Sequence, residues 1–282
     1  MSDVRTDPVL GTTVHVVHRR QNRPNLPAAG CPFCVGGLEA PEPYQVRWFP
    51  NRWPAMPDER CEVVLYTPEH DAAFWQLGPV GVRRVIDLWA ERTADLGIRP
   101  DVDYVLVFEN RGPDVGATIA HPHGQIYAYD HVPVRQAARL AGGWRPDPGD
   151  GARTVADHGD WVAWVPWAPT FPLALELAPR HPLPDLPSLD DGERDGLAAL
   201  LVDVLTRLDR LYQRPLPYML WLNQRPTTGR GRADELAWLN VEIVSPWRSA
   251  GVLRYIAAAE VASEEYFNPV VPEELAARLR EV

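Results

Sequence analysis

Apolar residues recur with a helical period over residues 79–97, at Val82, Val85, Ile86, Leu88, Trp89 and Leu96, with Arg and Glu on the opposite side. A stronger stripe runs through 188–212 at Leu197, Leu200, Leu201, Val204, Leu205 and Leu208. Ser188 and Glu193 flank its start, and Asp190-Asp191 suits the positive end of a helix. Short β-prone runs fall at 12–17, 46–49, 61–66, 103–108, 126–129, 161–165, 173–177, 217–222 and 238–245. Residues 250–266 read as a further helix and 272–282 as a short C-terminal one. The Pro-, Gly- and Ala-rich stretch 26–43 reads as loop. So does the polar stretch 130–160, with Pro146, Pro148 and repeated Gly and Asp.

These elements repeat. Pro68-Glu69-His70 near the end of one strand is echoed by Pro179-Arg180-His181. Asn110 follows His70 by 40 residues, and Asn223 follows His181 by 42. The pattern predicts a duplicated strand–strand–helix–strand–strand unit. The last strand differs between the copies. The first carries His121-Pro122-His123-Gly124-Gln125-Ile126-Tyr127-Ala128, whereas the second has Asn240 and Glu242 at the alternating positions. The first copy is therefore expected to keep the chemistry and the second only the scaffold. The expected organisation is a catalytic unit over 1–135, a linker over 136–159 and a degenerate unit over 160–282.

Composition narrows the class. The 282 residues suffice for one large core or two fused smaller ones, and 45% hydrophobic with 23% charged is ordinary for a globular chain. A net charge of −10 argues against general nucleic-acid binding, which needs a basic face. No apolar run is long enough to span a membrane, and Met1-Ser2-Asp3-Val4-Arg5 lacks the apolar core of a signal peptide, so a cytoplasmic location is expected. Every basic residue is arginine, which excludes any mechanism using a lysine amine.

Chemistry gathers on the histidine stretch. In an extended chain His121, His123 and Gln125 share one face. Cys31-Pro32-Phe33-Cys34 reads as a metal knuckle, with a redox pair or two buried thiols as the alternatives. Cys31, Cys34, His70 and His121 make the Cys₂His₂ ligand type of closed tetrahedral zinc, although His70 is equally readable as a surface turn histidine. With His121 on a metal, His123 is the imidazole that remains to attack phosphorus, provided a backbone carbonyl keeps its other nitrogen protonated. Gln125 and the Thr118 hydroxyl can donate to phosphoryl oxygens. Arg20 and Arg23, in a loop after the 12–17 strand, read either as a solvated turn or as a phosphate grip. There is no Gly-x-x-x-x-Gly-Lys-Ser/Thr loop and no Gly-x-Ser-x-Gly elbow.

Phe108-Glu109-Asn110-Arg111-Gly112, Gly116 and His121 to Gln125 together resemble the galactose-1-phosphate uridylyltransferase family of the histidine-triad superfamily. The knuckle, Pro68-Glu69-His70, Arg20 through Arg23-Pro24, Pro217-Tyr218 and Arg248-Ser249 into Arg254-Tyr255 fall in family order. The resemblance implies an α+β fold of two fused histidine-triad-like units, forming a mostly antiparallel half-barrel sheet with helices packed on it, and a homodimer whose sites draw on both subunits. It implies structural zinc on Cys31, Cys34, His70 and His121. It implies His123 as the nucleophile that takes a nucleoside monophosphate, UMP first, from a nucleotide sugar and passes it to a sugar 1-phosphate in a ping-pong cycle. Gln125 and Thr118 would hold phosphates with Arg20 and Arg23 in support. Asn51 and Asn110 would face the nucleoside, and Glu260 would bind sugar hydroxyls, across the dimer if need be.

The chain departs from the family pattern in three places. Where some relatives carry structural iron on three histidines and a glutamate, this chain has Asn223, Asn240, Glu242 and, by spacing, Arg139, so no iron is expected. The nucleoside loop reads Asn51-Arg52 rather than Asn-Asp, which opens the choice of base. Ala259 and Tyr266 stand on the sugar-binding helix in place of bulkier or amide side chains, which opens the choice of sugar. The alternatives to a transferase are a nucleotide-sugar phosphorylase or hydrolase of the same superfamily, and a catalytically dead, zinc-stabilised nucleotide-binding protein.

Overall fold

The structure, a computed structural model, describes residues 3–22, 30–228 and 235–282. Its strands are β1 (Asp3–Thr6), β2 (Thr13–Val16), β3 (Arg47–Pro50), β4 (Cys61–Leu65), β5 (Tyr104–Arg111), β6 (His123–Tyr129), β7 (Thr154–His158), β8 (Trp161–Trp164), β9 (Leu173–Pro179), β10 (Tyr218–Asn223), β11 (Asn240–Ser245), β12 (Trp247–Ser249) and β13 (Val252–Leu253). The two long helices are α1 (Gly78–Gly97) and α3 (Asp191–Leu211), with the short α2 (Val134–Ala141) between them. Short helices at Ala258–Ser263 and Pro272–Arg280 follow. Among the described residues no helix is long and apolar enough to cross a membrane.

Nine strands form one open sheet in the order β3-β4-β6-β5-β10-β11-β9-β8-β7, with antiparallel pairing throughout. The order mirrors itself about the β5–β10 seam: β4-β6-β5 on one side faces β10-β11-β9 on the other. Helix α1 joins β4 to β5 as α3 joins β9 to β10. The expected mixed α and β fold with a repeated unit is therefore present, as one continuous sheet.

Both helices cover the same sheet face and pack on each other. The stripe Val82, Val85, Ile86, Leu88, Trp89 and Leu96 of α1 is buried, as is Leu197, Leu200, Leu201, Val204, Leu205 and Leu208 of α3. Each such side chain contributes about 2 kcal/mol on leaving water. Asp190 caps α3 by accepting from the Glu193 N–H at 2.8 Å, while Glu193 accepts from the Asp190 N–H at 2.7 Å. On the same face Arg92 of α1 reaches back to Glu62 of β4 through bonds of 3.0 and 2.8 Å and lies 3.6 Å over the Trp48 ring.

Three readings need correction. Residues 250–266 are not one helix: the β12–β13 hairpin turns at Gly251, and only Ala258–Ser263 is helical before Glu264 takes a left-handed backbone. Its large apolar residues Tyr255 and Val261 are exposed, so they make no buried stripe. The polar stretch 130–160 contains α2 and β7, and its loop runs over the intervening residues. Strand β6 begins at His123, earlier than its β-prone run, because β4 pairs with it from Leu65↔His123 onward.

Candidate active site and metal centre

The face away from α1 and α3 carries the predicted chemistry. Register places Gln125 beside Val63 and Phe108, and His123 beside Leu65. Hence His123, Gln125 and Tyr127 look outward from the helices, while Gly124 and Ile126 look inward. His121 lies just before the strand, fully buried, so the expected alternation holds for His123 and Gln125 only.

The donor atoms of Cys31, Cys34, His70 and His121 all lie within 4.8 Å of one another. Cys34 Sγ is 3.5 Å from His70 Nδ1 and 3.7 Å from His121 Nδ1. A tetrahedron with ordinary Zn–N and Zn–S bond lengths has edges of about 3.4–3.8 Å, so the donor set and its spacing fit zinc. His121 Nε2 lies 2.7 Å from the Thr67 carbonyl and 2.9 Å from the Tyr44 hydroxyl. The proton therefore sits on Nε2, and Nδ1 presents its lone pair to the thiols. Burial also pushes the His121 pKa down, which favours the neutral ring a metal needs. Tyr44 further donates to the Phe33 carbonyl at 2.7 Å or the Thr67 carbonyl at 2.9 Å. It thus ties the knuckle to both chain segments that bring the histidines. The knuckle turn is tight: the Gly37 N–H bonds the Cys34 carbonyl at 2.8 Å, and a Cβ at 37 would press on the Cys31, Pro32 and Cys34 carbonyls.

Beside this cluster opens a cleft of about 780 Å³. Residues 30–39 form one wall. Phe49, Asn51, Arg52, Trp53 and Val63 form another, and Thr118, Ile119, His123 and Gln125 line it too. His123 Nδ1–H donates to the His121 carbonyl at 2.7 Å, which fixes the tautomer and leaves the ring lone pair on Nε2. The Phe33 ring packs edge-on against His123 at 5.1 Å. Asn51 Nδ2 donates to Gln125 Oε1 at 3.3 Å, which orients the Gln125 NH₂ as a donor. Arg52 and Glu39 pair across the cleft wall at 3.1 Å.

The remaining predicted residues lie at varying distance. Arg20 reaches Tyr127 at 3.5 Å, two residues beyond Gln125 on the same face. Arg23 lies outside the described residues. Asn110 shares the outward face of β5 with Phe108 but does not line the cleft. Glu260 stands apart, buried, pairing with Arg254 and accepting from the Ala257 and Phe267 N–H groups at 2.9 and 3.1 Å.

In the second copy the four named positions converge on the same sheet face. Arg139 of α2 bonds Asn240 at 3.2 Å and pairs with Glu242 at 3.1 Å and Glu176 at 3.6 Å, and Asn223 donates to Glu242 at 2.8 Å. Burial and the neighbouring Glu242 push the Glu176 pKa up to about 7. A guanidinium from α2 thus supplies the positive charge between two carboxylates.

Tyr44, Phe33 and Glu39 escaped the sequence reading. Glu39 lies within the 26–43 stretch of loop composition and Tyr44 just beyond it, and no spacing rule ties Tyr44 to a histidine 77 residues away.

Comparison with known proteins follows the same residues. The family described as galactose-1-phosphate uridyl transferase, N-terminal domain, matches residues 52–133. The galactose-1-phosphate uridylyltransferase of Thermotoga maritima is 31% identical, covering 100% of this chain and 98% of the relative. That of Streptomyces lividans is 34% identical, covering 100% and 87%. A solved uridylyltransferase structure superposes with a TM-score of 0.88 at 28% identity, covering 100% of this chain and 98% of the other. Likeness over the full length to enzymes of one name, in a chain that folds its His-Pro-His-Gly-Gln segment beside a Cys₂His₂ cluster, means that this chain belongs to the galactose-1-phosphate uridylyltransferase family.

Proposed function

We propose that the protein transfers UMP from a UDP-hexose to a hexose 1-phosphate in two steps on His123. The hydrogen bond from His123 Nδ1–H to the His121 carbonyl carries this reading, because it leaves a neutral imidazole with Nε2 as nucleophile beside an anion-sized cleft. In the first step Nε2 attacks the α-phosphorus, a P–N bond forms, and the P–O bond to the departing hexose 1-phosphate breaks. In the second step a phosphate oxygen of the incoming hexose 1-phosphate attacks the same phosphorus and the P–N bond breaks. Gln125 and Thr118 donate to the phosphoryl oxygens as charge builds on them, and Arg20 and Arg23 add positive charge at the entrance. Asn51 holds Gln125 in its donor orientation and faces the nucleoside, whose base lies against Phe33, Phe49 and Val63, while Asn110, outside the cleft on the same sheet face, meets the nucleoside only where it extends beyond the cleft.

Zinc on Cys31, Cys34, His70 and His121 plays a structural part, fastening the cleft wall 30–39 to the strand that carries the nucleophile. The guanidinium of Arg139 supports the absence of iron from the second copy. Residues 1–135 act as the catalytic unit and 160–282 as the degenerate one, with 136–159 between them. The chain works as a cytoplasmic homodimer. Glu260 reaches sugar hydroxyls only from a partner subunit, and the exposed Tyr255, Val261 and Phe267 around it support such an interface.

UDP-glucose labelled at the α-phosphorus tests the reading. Incubated alone with the protein, it is expected to leave acid-labile label on the wild type and none on His123→Ala. Wild type that stays unlabelled with UDP, ADP and GDP sugars would overturn it. Release of label as a UDP-sugar only when a sugar 1-phosphate is added separates a transferase from a phosphorylase or hydrolase.

A further inference from the structure

Directly behind the nucleophile strand, on the helix face, sits a carboxyl group that the reaction scheme leaves unused. Glu109 of β5 is 4% exposed. Tyr218 of β10 donates to its Oε1 at 2.8 Å. Its Oε2, the Tyr66 hydroxyl at the end of β4 and the Trp89 Nε1 of α1 are buried without a hydrogen bond. The cation nearest along its own strand, Arg111, is engaged by Asp209 in a fork of 2.6 and 2.9 Å. A buried carboxyl so placed holds its proton, and its pKa is pushed up to about 7 by burial.

Tyr66 links this group to the site. Its ring is clamped by Phe74 at 4.5 Å and Trp89 at 5.8 Å, and its hydroxyl stands against Gly124 so closely that a methyl group there would overlap it. Gly124 is the residue between His123 and Gln125. Its missing side chain is therefore what lets the Tyr66 hydroxyl support the strand from behind.

We propose that Glu109 is a positioning residue for the transfer reaction: braced by Tyr218 and set against Tyr66, its carboxyl fixes the depth of the strand between His123 and Gln125. The proposal rests on His123 being the nucleophile. The titratable and charged groups facing Glu109 are Tyr66, Tyr218 and, along its own strand, Arg111; Trp89, which does not titrate, and Gly124 of β6 stand against Tyr66. A neutral carboxyl accepts from Tyr218 and still has one proton to give. The carboxylate can only accept, so it draws both phenols toward a charge that no cation touches. Tyr66 then shifts from its place behind Gly124. A displacement of His123 by about an ångström is enough to cost on the order of 100-fold in rate.

The test is the single-turnover rate of His123 labelling by UDP-glucose between about pH 6 and pH 9, for wild type, Glu109→Gln and Glu109→Leu. Wild type is expected to slow as Glu109 loses its proton. Glu109→Gln, of the same shape but permanently neutral, is expected to match wild type at the acid end and to stay flat where wild type falls. Glu109→Leu is expected to lose at least about 30-fold in rate with KM little changed. The same alkaline fall in wild type and Glu109→Gln would overturn the proposal while leaving His123 as nucleophile. Absence of label on wild type would overturn both. The glutamine profile decides alone, so a leucine variant that failed to fold would not shield the idea.

Discussion

An imidazole has two nitrogens, and the His121 carbonyl settles which of them His123 uses. His121 answers the opposite way: its Nε2 faces Thr67 and Tyr44, so Nδ1 turns to the thiols. Two histidines two residues apart are thus given different work by the acceptors around them. Tyr44→Phe removes one of those acceptors and the tether to the Phe33 and Thr67 carbonyls. It is expected to weaken zinc binding by about tenfold, measured by competition with a chromophoric chelator. Unchanged affinity would show that Thr67 alone orients His121. At this scale the sequence reads well where chemistry is local. His-x-His and Cys-x-x-Cys announce themselves, and Arg139, placed by spacing alongside Asn223, Asn240 and Glu242, lies against them in the structure. Tyr44 and Tyr66 stay silent, because their roles arise only when distant strands come together.

The knuckle loop is at once half of a metal site and a wall of the cleft, since residues 30–39 line it from end to end. On the proposed reading, metal and nucleotide therefore share one element. Stripping the metal with a chelator is expected to weaken UDP-glucose binding by at least about tenfold, and added zinc to restore it, while the far-UV signal of the sheet persists. Binding that survives metal removal would separate the loop's two tasks. The long helices were legible because each buries a single apolar stripe, and the strands because their β-branched runs are bounded by Pro and Gly. Helix α2 was not. It docks through Arg135, Gln136 and Arg139, which bond Glu242, Asn223 and Asn240, so it leaves no apolar period to find. The segment 250–266 misled in the opposite sense, with apolar residues that face outward.

Across the whole molecule, two carboxyls stand out against the net charge of −10. Glu109 and Glu176 are both raised from 4.5 to about 7 by burial. A carboxyl that holds its proton more tightly when folded adds stability that is whole below its unfolded pKa and is lost as pH rises through the folded value. The window is thus from about pH 4.5 to about pH 7, and the loss is about 3 kcal/mol for each group. Urea unfolding at about pH 5 and pH 8 is expected to show wild type weakening more than a Glu109→Gln, Glu176→Gln double variant. Equal weakening would assign the pH dependence elsewhere.

The mirrored strand order has one more implication. Tyr218, which braces Glu109, comes from the second copy, whose last strand has no histidine, and it reaches across the seam where β5 meets β10. That copy is no spare part. A lesion in it, far from any reacting atom along the chain, would present as a sick enzyme rather than as a merely fragile one.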